Sequence, residues 1–141
     1  MTQSSYNKFI DRRTEEQVMS GLATPILYWY DLDKRKRHRT NGITITIDGM
    51  MIVGRSVCSK GDQFNRSIGR LKTTSRILGR AQKHCWIIIG NPELNPDAFA
   101  LEYLKVFPGD NRGCRRAYNA AKIFHGWKKE LKRLEQEQLD A

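Results

Sequence analysis

Residues 43–47 read Ile-Thr-Ile-Thr-Ile, and this alternation constrains the chain more than any other feature. A period of two puts the isoleucines on one face of a strand and the threonines on the other. Asp48-Gly49 follows, the pair favoured in two-residue type I′ turns because both central residues need positive φ. Met50 to Val57 then returns as the partner strand, where Gly54 marks a bulge or a close backbone approach.

The remaining elements follow from local pattern. Ile26 to Leu32 is β-branched, aromatic or aliphatic and reads as a strand. His84 to Gly90, with its Cys-Trp-Ile-Ile-Ile run, reads as a central strand. Thr14 and Gln17 have capping-box spacing for a short helix through Met19, ended by Gly21. Ser59 and Asp62 offer a cap for a long helix running to about Lys83. Two Asn-Pro pairs mark 91–96 as a loop, Pro96 opens a helix over 97–106, and Pro108-Gly109 ends it. From Asn111 onward the chain reads as one long helix. The expected architecture is α+β. Strands 26–32, 43–47, 50–57 and 84–90 form an antiparallel sheet, and helices 62–83 and 111–139 cover it. At 141 residues the chain is one domain's worth: a single domain over 14–141 behind a flexible N-terminus at 1–13.

Charge narrows the function. Lys and Arg number 25 against 15 Asp and Glu, a net +10 that draws polyanions and repels copies of the chain. The charges cluster in three places. Lys34, Arg35, Lys36, Arg37, His38 and Arg39 form an unbroken run closing on Asn41-Gly42, which reads as an exposed loop or hairpin tip. On a helical wheel, Arg66, Arg70, Lys72, Arg76, Arg80 and Lys83 fall within roughly 160°, opposite Phe64, Ile68, Leu71 and Leu78. Ala81 sits at the border and Ile77 is the main exception. Arginine suits bidentate contact with phosphate oxygens, and Gly69 inside the arc would let a ligand approach the backbone. The alternative is a solvated basic face balanced by acids such as Glu130, Glu135 and Glu137. Near the start of the last helix, Arg112, Arg115 and Arg116 gather with Asn111, Asn119 and Tyr118. They offer phosphate contacts and a stacking ring, or else pair with Asp110 or Glu102. Phe64 is a second candidate for base stacking.

The stretch Cys58-Ser-Lys-Gly-Asp62-Gln-Phe64-Asn65-Arg66-Ser-Ile-Gly69-Arg70 comes directly after the hairpin strand. It resembles an element of small tailed-phage proteins in which a hairpin precedes Lys-x-Asp-x-Phe-x-Arg-x-x-Gly-Arg at the opening of a helix. With the hairpin it covers about a quarter of the chain. Thr73, Thr74 and Arg76 stand where that pattern continues with small residues and a further arginine. Many such proteins have no assigned function, so the resemblance implies phage origin rather than an activity.

Other classes find little support. Cys58, Cys85 and Cys114 are widely spaced, without a CxxC pair or a Cys/His knuckle for zinc. No P-loop, GxGxxG, HExxH or Gly-x-Ser-x-Gly motif is present, so neither a cofactor nor catalysis is expected. The N-terminus lacks the apolar region of a signal peptide, and the apolar runs are too short to cross a bilayer. A cytoplasmic protein with reduced thiols is expected, in a host cytoplasm if phage-encoded. Ala120, Phe124, Trp127, Leu131 and Leu134 follow a 4, 3, 4, 3 spacing. Phe124 and Trp127 fit docking on the sheet, whereas Leu131, Leu134 and Leu139 are left for self-association within 131–141. The reading is a nucleic-acid-binding protein that holds DNA or RNA through phosphates with weak sequence specificity. The alternative is a phage counter-defence protein that sequesters a small nucleotide messenger or binds a host protein.

Overall fold

The alternating Ile-Thr segment forms its hairpin, but the turn is one residue longer than a type I′ loop. The Thr46 amide donates to the Met50 carbonyl at 2.9 Å and the Gly49 amide to the Thr46 carbonyl at 3.0 Å. Gly49 alone supplies the left-handed conformation, at φ 86. The Asp48 carboxylate accepts from the Thr46 hydroxyl at 2.9 Å. The result is a three-residue loop closed by a glycine bulge.

The computed structural model describes residues 11–59, 61–80, 83–88 and 90–140. Its elements are α1 (Glu15–Met19), β1 (Leu27–Leu32), β2 (His38–Ile45), β3 (Met51–Val57), α2 (Arg66–Leu78), β4 (Cys85–Ile88), α3 (Pro96–Val106) and α4 (Asn111–Asp140). This is the expected α+β arrangement. The four strands are antiparallel in the order β1-β2-β3-β4. β4 is therefore an edge strand rather than a central one. The capping box at Thr14 forms as read, with Thr14 and Gln17 exchanging 3.1 Å bonds. The flexible reading of residues 1–10, the border position of Ala81 and Ile89 of the expected strand lie outside the described residues.

Expectations about β2 and α2 are corrected. β2 starts at His38 rather than Ile43, because the chain reverses at Asp33 to Arg37. There the Asp33 amide donates to the Arg37 carbonyl at 2.9 Å. Asn41-Gly42 thus lies inside a strand. α2 ends at Leu78 instead of Lys83, with Gly79 as its C-cap and Arg80 in the left-handed region at φ 52. It starts at Arg66 rather than at 62, and its N-cap is Asn65 in place of Ser59 or Asp62; the Asn65 side chain accepts from the Ile68 amide at 3.1 Å.

The sheet has two different faces. One carries Trp29, Ile43, Ile45, Met51, Val53 and Ile88, buried under Phe99 and Tyr103 of α3 and Ala117, Ala120, Ala121 and Phe124 of α4. Three alanines on one helical face let α4 lie close to the strands. The other face presents Thr40 opposite Ser56 and Gly42 opposite Gly54. α2 sits on that pavement through Gly69, Thr73 and Ile77, spaced four apart. The Ser56 hydroxyl donates to the Gly69 carbonyl at 3.1 Å, and that of Thr73 to the Thr40 carbonyl at 3.2 Å.

The wheel reading is therefore inverted. Ile68 and Leu71, expected in the core, are 51% and 71% exposed, while Ile77, the exception on the wheel, is fully buried. The sheet beneath offers small and hydroxyl-bearing residues, so the helix face that fits it is the one with the least bulk. Gly69 meets Thr40 rather than a ligand, and a Cβ there would collide with the threonine hydroxyl.

A Cβ at position 54 would lie 2.5 Å from Ile77 Cγ1. Gly54→Ala is expected to destabilise the fold by about 1–3 kcal/mol through overpacking, measured by urea unfolding. An unchanged midpoint would show that α2 does not rest on this seat.

Candidate functional site

β1 is the other edge of the sheet, and its residues alternate between the two covered faces. Tyr28 and Tyr30 project toward α2. The Tyr28 hydroxyl meets that of Thr74, and the Tyr30 hydroxyl accepts from Arg70 Nη1 at 2.8 Å. Trp29 projects the other way, edge-on to Tyr103 with ring centroids 6.1 Å apart. Both long helices begin beside this edge. Arg66, the first residue of α2, lays its guanidinium 4.3 Å from the Tyr30 ring centroid. Arg112, in the first turn of α4, donates to the Tyr30 carbonyl at 2.8 Å.

Between them runs a groove of about 720 Å³, lined by Tyr28, Trp29, Tyr30, Arg66, Asn111, Arg112, Arg115 and Arg116. None of these residues is a carboxylate. Among the described residues, Arg66, Arg70, Arg112, Arg115 and Arg116 make no ion pair. Residues from the first turns of both helices, Arg66 of α2 and Asn111 and Arg112 of α4, line this one space.

The other candidates divide. Lys34, Arg35 and Lys36 are exposed at the tip of the β1–β2 hairpin. Arg37 is tied to Asp33 by a 3.1 Å ion pair. Arg39 is neutralised by a bidentate bond to Asp31, 2.7 Å on each arm. Arg76 and Arg80 lie at the far end of α2 and bond backbone carbonyls, Arg76 that of Arg55 at 2.6 Å and Arg80 that of Ile77 at 2.7 Å. They are not part of one continuous basic face with Arg66 and Arg70. Tyr118 does not line the groove, and Lys122 stands 5.6 Å over its ring. Phe64 stacks on His38, with centroids 4.4 Å apart and planes 15° apart, and meets Tyr30 edge-on at 6.2 Å. Leu131, Leu134 and Leu139 are 38%, 44% and 80% exposed on the last turns of α4, beyond its last buried residue, Phe124. Sequence reasoning overlooks Tyr30, although the Tyr-x-Tyr spacing in β1 places both rings on one face.

A polar cluster beneath the groove fixes the start of α4. Asp110 caps the helix by accepting from the Gly113 amide at 3.0 Å. Its second oxygen takes the Tyr103 hydroxyl at 2.6 Å and Arg55 Nη2 at 3.4 Å. Arg55 packs 4.3 Å over Phe107 and 5.3 Å over Trp86. Burial, and then the nearby charge of Arg39, pull the Arg55 guanidinium below its ordinary value. Burial and the bond to Asp110 push the Tyr103 phenol up. Burial opposes the charge on Asp31, yet bonds from Arg39 and Asn41 outweigh it and hold the carboxyl below its ordinary value. No group of three or more His, Cys, Asp or Glu able to hold a metal occurs among the described residues. No protein-family model, curated protein or solved structure matches the chain.

The lowered Asp31 pKa sets a direction for pH. Its contribution to stability is complete above the ordinary 3.8 and is lost as pH falls through the lower folded value. Asp31→Asn is expected to destabilise the protein at neutral pH by about 1–3 kcal/mol, since Arg39 loses its partner. It should also shallow the decline in melting temperature below pH 4 or so. Thermal melts followed by circular dichroism across pH read both effects.

Proposed function

We propose that the chain binds nucleic acid through its phosphates, in the groove along β1. The observation that carries this reading is that Arg66, Arg112, Arg115 and Arg116, drawn from two helices, line one groove with no carboxylate among its described lining residues. Such a wall attracts an anion at long range, and planar guanidinium groups grip phosphate oxygens in pairs. The hairpin tip Lys34-Arg35-Lys36 follows Tyr30 by four to six residues along the same edge. It lies beyond the neutralised Asp31–Arg39 and Asp33–Arg37 pairs and forms a second, separate positive patch on the same hairpin. A second positive patch apart from the groove favours a polymer, which can meet both, over a single nucleotide. Phosphate contacts position a strand without reading its sequence, so weak sequence preference is expected.

Capture of a small nucleotide is the second reading, favoured by a groove volume in the range of small-ligand sites. On its resemblance to tailed-phage proteins, the chain would do either task in a host cytoplasm, where Cys58, Cys85 and Cys114, free in the structure, stay reduced.

Fluorescence anisotropy with a labelled oligonucleotide over a salt series tests the proposal. Replacing Arg112, Arg115 and Arg116 by Gln should weaken binding about tenfold or more. The slope of log affinity against log salt should flatten by about 0.7–0.9 for each phosphate that is no longer neutralised. Lys34, Arg35 and Lys36 replaced by Ser should flatten it again. Unchanged affinity and slope in both variants would remove the groove from nucleic-acid binding. Loss of a small nucleotide with the groove variant, and none with the tip variant, would favour the second reading.

A further inference from the structure

A second cavity, of about 300 Å³, lies on the other side of Phe64 and Arg66, between the end of β3 and the first two turns of α2. Its character differs from that of the groove. Val57, Phe64 and Ile68 give it apolar walls, while Ser59, Gln63 and Asn65 offer donors and acceptors at its margin. Among the described residues, Asp62 and Lys72 are its charged lining residues and carry opposite signs. The arginine cluster that lines the groove is not repeated among the described residues here. The cavity fits a flat, neutral group with apolar faces and a polar edge, which describes a nucleobase. The volume is at the small end of ligand sites, enough for one base rather than a larger cofactor.

The two sites are joined by touching rings. Phe64 belongs to the cavity and meets Tyr30 of the groove edge-on at 6.2 Å, and Arg66 covers the Tyr30 ring at 4.3 Å. His38 backs Phe64 from β2 with nearly parallel planes. A strand whose phosphate sits on Arg66 therefore has its base within reach of Phe64. Ile68, 51% exposed at the cavity wall, is apolar surface that an inserted base would cover.

We infer that this cavity is a nucleobase subsite and that the ligand is single-stranded. The inference rests on the phosphate reading of the groove. Bases paired and stacked inside a duplex cannot enter a side cavity, whereas those of a single strand are free to stack on aromatic side chains.

The test compares short probes of mixed sequence in DNA and RNA versions: a single strand, a duplex of equal length, and a single strand with abasic residues. All are read by anisotropy across a salt series. The single strand should bind most tightly. The abasic strand should bind about five- to a hundredfold more weakly, the range expected for base–aromatic stacking, with an unchanged salt slope because its phosphates are all retained. Phe64→Ala should reproduce that weakening on the intact strand and leave the abasic strand unaffected. Phe64→Leu, which keeps apolar bulk, should show most of the same weakening. Equal binding of intact and abasic strands, or of duplex and single strand, would overturn the inference while leaving the phosphate groove standing. Failure of every probe to bind would overturn the phosphate reading and this one together.

Discussion

The Gly42–Gly54 pair across β2 and β3 is the constraint on which the candidate site depends. Two missing side chains, opposite one another in register, leave a depression that Ile77 fills. A Cβ at position 42 would lie 2.9 Å from Ile26, 3.0 Å from Thr73 and 3.1 Å from Ile77. With Gly69 seated on Thr40 as well, the helix lies close enough for buried hydroxyls to reach backbone carbonyls across the contact. Those hydrogen bonds satisfy polar groups that would be costly to bury alone. They also fix the axial position of α2, and hence where its first residue, Arg66, emerges over β1.

The opposite face reaches the same edge by other means. Asp110 links the α4 N-terminus to Tyr103 of α3 and Arg55 of β3, and Gly113 leaves room for the Tyr103 hydroxyl. A packed hydroxyl seat and a carboxylate-centred network thus bring two helix starts to opposite sides of one edge strand. An open sheet edge invites pairing with another chain. Here Arg112 occupies the Tyr30 carbonyl, and the gathered arginines repel a second copy of the same edge.

How much of this could be read in sequence depends on how local each determinant is. The Ile-Thr alternation, the Thr14 capping box and Pro96 at a helix start act within a few residues; the last two formed where expected, and the first formed its hairpin with shifted strand bounds and a longer turn. α2 was harder, because its orientation is set by Gly42 and Gly54, which become neighbours only through the hairpin register. A helical wheel assumes that the aliphatic side faces inward. Over a pavement of glycine, serine and threonine that assumption fails, and Ile68 and Leu71 remain outside. Placing a turn at Asn41-Gly42 had a second consequence. With the reversal at Asp33 to Arg37, Asp31 falls directly opposite Arg39, and the pair neutralises itself. The cluster at Arg112, Arg115 and Arg116 was visible in sequence. Its meeting with Arg66 was not, since it needs both faces of the sheet.

Gathering arginines on one groove costs stability through mutual repulsion, and the structure offsets part of that cost with a single residue. Tyr30 holds two of them and the neighbouring Arg70 by three different groups: its ring under Arg66, its hydroxyl on Arg70 and its carbonyl on Arg112. Each contact disperses charge or satisfies N–H donors without introducing a carboxylate, so the groove stays positive. Ordering a long side chain on binding costs about 0.5–1.5 kcal/mol. For these three arginines much of that ordering already accompanies folding. Arg115 and Arg116 form no such bond among the described residues. The groove therefore combines a fixed part, set by Tyr30, with an adaptable pair one turn along α4. Under the proposed function, a ligand with regularly repeated charge and variable local geometry would suit that division: the fixed arginines would set where its backbone enters, and the adaptable pair would follow it.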